Sequence, residues 1–277
     1  GKKVSKEIAE IRNVPIGENV FSPPVHETFT TPIEMMHFIA KLRELSEGKP
    51  VGFKLCVGKR HEFLAICKAM HASGITPDFI SIDGGEGGTG AAPLEFSNHI
   101  GVPSIESLIF VNNALRGFDL RKKIKIFASG KVTSGFGMIK RLALGADAVY
   151  SARAMMLALG CIQALRCNSN HCPTGVTTQD PELVAGLVPS DKRKRVLHFH
   201  HETVKSVAEM LGAMGLNKAS ELRPWHIKRR VAINTTKHYG ELYPQLATGC
   251  LLDGEIPAEY AWAVKAANAD SFAATTS

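Results

Sequence analysis

The sequence predicts an α/β protein built on a parallel sheet. Three observations predict it. Short apolar runs alternate with segments of helical period along residues 31–166. Every conspicuous glycine or polar cluster in that stretch directly follows an apolar run, where parallel sheets carry their chemistry. Hydrophobic residues make up 44% of the 277, against 21% charged, which supplies a sizeable core and argues against a disordered chain. The length suits one or two domains, or a single α/β barrel.

Residues 1–30 read as an extended arm, punctuated by Pro15, Gly17, Ser22, Pro23 and Pro24, with one short helix over Lys6–Arg12. Thr31-Pro32 opens a helix, because a proline at the first helical position gives up no needed N–H. Ile33, Met36, Phe38-Ile39 and Leu42 carry its period to a stop near Gly48. Val51–Val57 is an apolar strand containing one charge, Lys54. Phe63–Ser73 is helical and stops at Gly74. Asp78–Asp83 is a second strand, and Ser104–Arg116 a helix. Lys123–Ala128 is a third strand, followed by a helix over Ser134–Leu144 that stops at Gly145. Ala146–Ser151 is a fourth strand, followed by a helix from about Ala152 to Arg166. Four βα units form an open sheet or half of an eight-stranded barrel. Beyond Cys172 the rhythm changes. Ser190–Met214 reads as one long helix, Leu222–Val231 as a short basic segment, 232–262 shows no clear period, and 263–277 reads as a flexible tail.

Several classes are excluded. Six cysteines are too sparse for a disulfide scaffold, and no apolar run reaches the length of a membrane span. No secretory leader opens the sequence, so a cytoplasmic location is expected. The net charge of +7 gathers at Lys192–Arg195 and Lys228–Arg230, which read as solvated helix faces; no nucleic-acid partner is expected.

Four constellations can carry chemistry. Cys161, Cys167 and Cys172-Pro173 place three soft thiolate ligands within twelve residues. Structural zinc takes four ligands, and His171 is a poor fourth because it adjoins Cys172. Three cysteines suit a three-iron cluster better, with zinc and buried free thiols as the other readings. Ser129-Gly130-Lys131 with Ser134-Gly135, and Ser151-Ala152-Arg153, follow successive strands and open helices, as phosphate-binding loops do. Simple tight turns are the alternative. Asp83-Gly84-Gly85-Glu86-Gly87-Gly88-Thr89-Gly90 holds five glycines and lets a ligand approach the backbone; a plain surface loop is the alternative. Lys54 is either a contact for an anionic ligand or flavin, or a strand-end lysine reaching solvent.

The chain resembles the carboxyl-side half of the flavin-binding synthase domain of glutamate synthases, and the shorter stand-alone FMN-binding glutamate synthase family. The resemblance rests on Ser22-Pro23-Pro24-Val25-His26, Gly52-Phe53-Lys54-Leu55, the run Gly84–Pro93 and Ala128-Ser129-Gly130-Lys131. It rests most specifically on Gly160-Cys161-Ile162-Gln163 through Cys167 to the run Cys172–Gln179. It covers residues 1–180 well and 181–250 more loosely.

The resemblance implies a (β/α)8 TIM barrel holding FMN and a [3Fe–4S] cluster. Residues 1–180 would supply about its last four βα units, 181–262 a helical extension and 263–277 a flexible tail. It implies Cys161, Cys167 and Cys172 as cluster ligands, and Lys54 as a catalytic lysine near flavin and 2-oxoglutarate. Ser129, Gly130, Lys131, Ser134, Gly135, Ser151, Ala152 and Arg153 would surround the flavin phosphate, and Gly87, Gly88 and Thr89 would also contact the cofactor. The implied reaction reduces 2-iminoglutarate, formed from 2-oxoglutarate and ammonia, to L-glutamate. The electron donor would be ferredoxin or an NAD(P)H-linked subunit, and the missing half-barrel a further partner. An N-methylglutamate synthase-like enzyme using another amine, and a non-catalytic electron-transfer subunit, are the alternatives. The chain departs from the large glutamate synthases at Lys131, Thr133 and Val57, which replace a glycine, an arginine and a serine. No glutaminase domain is read within residues 1–277, so use of glutamine is not expected.

Overall fold

The computed structural model describes residues 3–21, 23, 25–87 and 95–275. The expected contacts of Gly88 and Thr89 lie outside the described residues, as do Ser22, Pro24 and most of the glycine run beyond Gly87.

The predicted alternation is present. After α1 (Lys6–Arg12) come α2 (Pro32–Leu45), β1 (Gly52–Cys56), α3 (Arg60–Ser73), β2 (Phe79–Asp83), α4 (Ser104–Gly117), β3 (Lys125–Ala128), α5 (Gly135–Ala143), β4 (Ala148–Val149) and α6 (Arg153–Leu159). The four strands are parallel and lie in chain order, β1-β2-β3-β4. Local chemistry sets the ends. Thr31 and Glu34 exchange side-chain to backbone hydrogen bonds in a capping box at the start of α2. Gly74, at φ +68°, turns the chain out of α3. Asp78 accepts from the Val51 N–H at 2.7 Å and pairs with Arg43 at 2.9 Å. Asp147 does the same for Ile126 N–H and Arg121, both at 2.8 Å. These aspartates close the end of the sheet where the strands begin.

The strands alternate. Ile80, Ile82, Ile126 and Ala128 point to the helices and are buried in one core with Phe63, Leu64, Leu108, Leu115 and Ile139. Each such large side chain removed from water contributes about 1.5–3 kcal/mol. The intervening residues, Phe79, Ser81 and Asp83, face the other side of the sheet. Helices on one face and a concave opposite face make this an α/β half-layer, consistent with part of a barrel wall.

Three expectations fail for identifiable reasons. The helix after β4 ends at Leu159, not near Arg166. Gly160, at φ +116°, caps it, and the Cys161 N–H bonds the Met156 carbonyl at 3.0 Å. Past α7 (Pro181–Val184) and α8 (Pro189–Ala213), the extension is not helical throughout. It forms a hairpin of β5 (Lys228–Ala232) and β6 (Thr235–His238), then α9 (Tyr239–Leu242). The charged residues there lack the apolar alternation that announces a strand. Finally, the tail is packed in its described part. α10 (Ala258–Ala266) buries Tyr260, Ala263, Val264 and Ala266 and lies against α3. Lys68 of α3 donates to the carbonyls of Val264 and Ala267 at 2.7 and 2.8 Å, closing the end of α10. Small alanines read as weakly hydrophobic, yet their size lets the two helices approach closely.

Candidate active site

The concave face of the sheet forms the wall of an open cleft of about 840 Å³. A volume of that size suits a cofactor or a drug-sized ligand. Its floor is aromatic. Phe79 stacks on Phe127 at 5.0 Å, and Tyr150 meets Phe127 edge-on at 5.6 Å. Phe79 also lies over Gly52, where a Cβ would fall 2.2 Å from the Phe79 carbonyl oxygen.

The rim at the strands' carboxyl ends is polar. Lys54 donates to Asp83 Oδ2 at 2.6 Å. Asp83 Oδ1 accepts from Ser129 Oγ at 2.9 Å and from the Gly84 N–H at 3.0 Å. Burial raises the Asp83 carboxyl, but Lys54, Ser129 and Gly84 outweigh it and hold the group below its ordinary range. Asp83 is therefore ionised at neutral pH and fixes the ammonium. Between floor and rim, the Ser81 hydroxyl is buried with no hydrogen-bond partner, although it lines the cleft. A buried hydroxyl left unpaired is costly. A polar ligand group there would satisfy it.

A second network fixes the loops. Glu86 accepts from the Ser104 N–H at 3.0 Å and from Ser104 Oγ at 3.1 Å, which seats its carboxylate at the start of α4. Gly84 sits against this contact: a Cβ there would fall 1.8 Å from Glu86 Oε2. Arg141, buried in α5, donates to the carbonyls of Ser129 at 3.2 Å and Gly137 at 3.0 Å, to that of Gly130, and to Ser104 Oγ at 3.3 Å. Burial pushes its guanidinium down from the ordinary value, and Glu86 opposes that shift. Gly130 takes φ +95° and Lys131 φ +48°, so this loop needs such a clamp.

The predicted residues separate into groups. Lys54, Gly87, Ser129, Gly130, Lys131, Ala152 and Arg153 all line the cleft. Lys131 reaches Asn98 Oδ1 at 2.6 Å, and Arg153 the Gly87 carbonyl at 3.4 Å. Ser134, Gly135 and Ser151 are not brought into the lining. Ser134 caps α5 through the Gly137 N–H at 3.2 Å, and Gly135 packs beneath Ser206 of α8. Ser151 donates to the Val132 carbonyl at 2.8 Å. Asp83 as partner of Lys54, Ser81, the aromatic floor, Glu86, Arg141 and Lys3 were not singled out in the sequence. The strand alternation on which Lys54 sits could have found Ser81, its register neighbour.

Cys161, Cys167 and Cys172 line a second, small cavity together with Thr174 and Thr177. Burial raises the Cys172 thiol, but polar groups of Thr174 and Thr177 outweigh it and bring it down to about 6. That favours the thiolate, the ligand form. Cys161 Sγ accepts from the Gln163 N–H at 3.4 Å. Among the described residues, no three His, Cys, Asp or Glu side chains are disposed to hold a single metal ion. Cys167 also borders the main cleft. Lys3 joins the two places, donating to the carbonyls of Cys167 and, at 2.7 Å, Thr177.

A profile of the conserved region in glutamate synthase matches residues 1–217. The chain is 42% identical over 230 residues to the glutamate synthase large subunit-like protein YerD of Bacillus subtilis, covering 83% of this chain and 44% of that protein. It is 37% identical over 224 residues to the archaeal glutamate synthase (NADPH) of Methanocaldococcus jannaschii, covering 80% and 43%. It is 33% identical to the ferredoxin-dependent glutamate synthase of an Antithamnion species, covering 80% of this chain and 14% of that one. The chain thus spans less than half the length of these relatives. Among solved structures, a substituted flavocytochrome b2 with sulfite bound is similar at 14% identity and a TM-score of 0.43, over 83% of this chain and 46% of that one.

Proposed function

The chain belongs to the glutamate synthase family, and on that premise we propose that it is the carboxyl-side part of a glutamate-forming oxidoreductase dependent on FMN and an iron–sulfur cluster. The carrying observation is the Lys54–Asp83 pair at the rim of the cleft, above the unpartnered Ser81 and beside the Ser129–Lys131 loop. The remaining strands of a (β/α)8 barrel would come from the part of the relatives' length that this chain does not span. They would cover the outer edges of β1 and β4, which are unpaired among the described residues.

The residues fit both groups. Ser129, Gly130, Lys131, Ala152 and Arg153 would hold the flavin, with cationic side chains for its phosphate and aromatic rings for its flat body. Cys161, Cys167 and Cys172 would hold the cluster; in such a cluster each thiolate binds its own iron, so the three need not converge on one point. When bound, the flavin supplies hydride and the cluster carries single electrons.

The chain's own residues bind and orient. Lys54 has three donors, and Asp83 engages one. The others are available to the carboxylate of a 2-oxo acid or to the carbonyl oxygen lost as water when ammonia forms 2-iminoglutarate. Reduction of that imine adds hydride at carbon and a proton at nitrogen. Lys54 would be the proton donor on this wall, and Asp83 keeps it aimed. Ferredoxin or an NAD(P)H-linked subunit would provide the electrons.

The test uses the full-length protein, reduced anaerobically. Flavin absorbance should return on adding 2-oxoglutarate with ammonium, with glutamate as product, and Lys54→Met should slow the return by at least a hundredfold at unchanged flavin content. Return with methylamine but not ammonium would replace ammonia by another amine. A protein without flavin or iron, or one that stays reduced with every amine, would overturn the reading.

A further inference from the structure

The β5–β6 hairpin lies beyond residue 217, outside the region matched to the family, and nothing in the proposed chemistry uses it. Every residue of Lys228–Ala232 is exposed, as are Thr235, Thr236 and Lys237. A bare two-stranded hairpin is marginal in water. This one also opposes like charges across its strands, where Arg229 faces Lys237. Such pairs destabilise a sheet. Among the described residues, Lys228, Arg229, Arg230 and Lys237 form no ion pair with a carboxylate. Residues 218–238 hold six lysines and arginines against one carboxylate, Glu221.

The apolar residues of the same element are equally unspent. Ile233, in the two-residue turn, is 87% exposed. Val231 beside it is 44% exposed, and Trp225, just before the hairpin, 56%. A nucleic acid or an acidic protein would be recognised by the cations and gains little from a bare isoleucine at the tip. An anionic lipid surface uses both, since it attracts the cations and takes up apolar side chains at the interface. We propose that the β5–β6 hairpin is a docking element for an anionic membrane surface, with Ile233 entering the interface and Arg229, Arg230 and Lys237 lying on the headgroups. It would hold this part of the protein at the lipid surface; among the described residues no helix is long and apolar enough to span a membrane.

The test is co-sedimentation of the full-length protein with vesicles of phosphatidylglycerol and phosphatidylcholine, against phosphatidylcholine alone. Binding should require the anionic lipid and weaken with salt. Arg229→Glu should weaken it about thirtyfold, two charges' worth of attraction. The same change places opposite charges at Lys237, so it should not lower the thermal midpoint, which separates lost docking from lost folding. Ile233→Asn should weaken binding about tenfold. No binding, equal binding to both vesicles, or binding indifferent to Arg229→Glu would overturn the proposal. So would duplex DNA displacing the vesicles while Ile233→Asn changes nothing, which would point to a general polyanion site. None of these readouts depends on flavin or glutamate formation.

Discussion

Ten of the 14 residues of α4 are buried, whereas none of the 25 in α8 is. Both are regular helices, but α4 is covered on two sides, by the sheet and by the returning segment around Leu246 and Leu251. α8 meets α5 and α6 and leaves Leu197 63% exposed. The difference divides the molecule. The sheet end is held by its own packing. The cysteine end is held by caps and by tethers such as Lys3. Stability and ligand dependence should therefore separate along the chain.

The sharpest way to break this contrast is Leu64→Ala. The side chain is fully buried, so the change should cost about 3–4 kcal/mol by denaturant unfolding. An equal cost for Leu197→Asn on α8 would erase the division. Arg141→Met comes next, at about 3 kcal/mol, because it leaves the Ser129, Gly130 and Gly137 carbonyls and Glu86 without their cation. It should also weaken FMN binding in the full-length protein, read by fluorescence titration.

Asp83→Asn should cost about 1–2 kcal/mol. The wild-type carboxyl is lowered by folding, so its contribution is complete above the ordinary 3.8 and is lost as pH falls through the lower native value. The variant should show a flatter stability curve in that acid range, measured by urea midpoints. Within the cysteines the contrast sharpens further. Cys172→Ser should abolish iron binding by the full-length protein at little cost to the sheet. Cys67→Ser, in a fully buried site of α3, should leave iron content unchanged and cost about 1–3 kcal/mol. The smallest effect belongs to Leu197→Asn, under about 0.5 kcal/mol.

The sheet end was legible because its signals are local. Strand alternation announces β1 to β3, and Thr31-Pro32, Gly74 and Ser134 mark helix ends within a few residues of sequence. The cleft was half legible. Lys54 and the loops stood out as chemistry in apolar surroundings. Arg141 did not, since a cation in the last turn of an amphipathic helix looks like any surface residue until the fold turns it inward. The β5–β6 hairpin and α10 were illegible for opposite reasons: one has charge without period, the other small residues without hydrophobic weight.

The seal between Lys68 and Ala267 spans 199 positions. A ribosome making this chain would release α3 long before α10 exists to cover it. Until then α3 shows a bare flank, and α10 is the element that covers it. A product truncated before α10 would keep that flank uncovered, which makes it a natural target for chaperones and proteases.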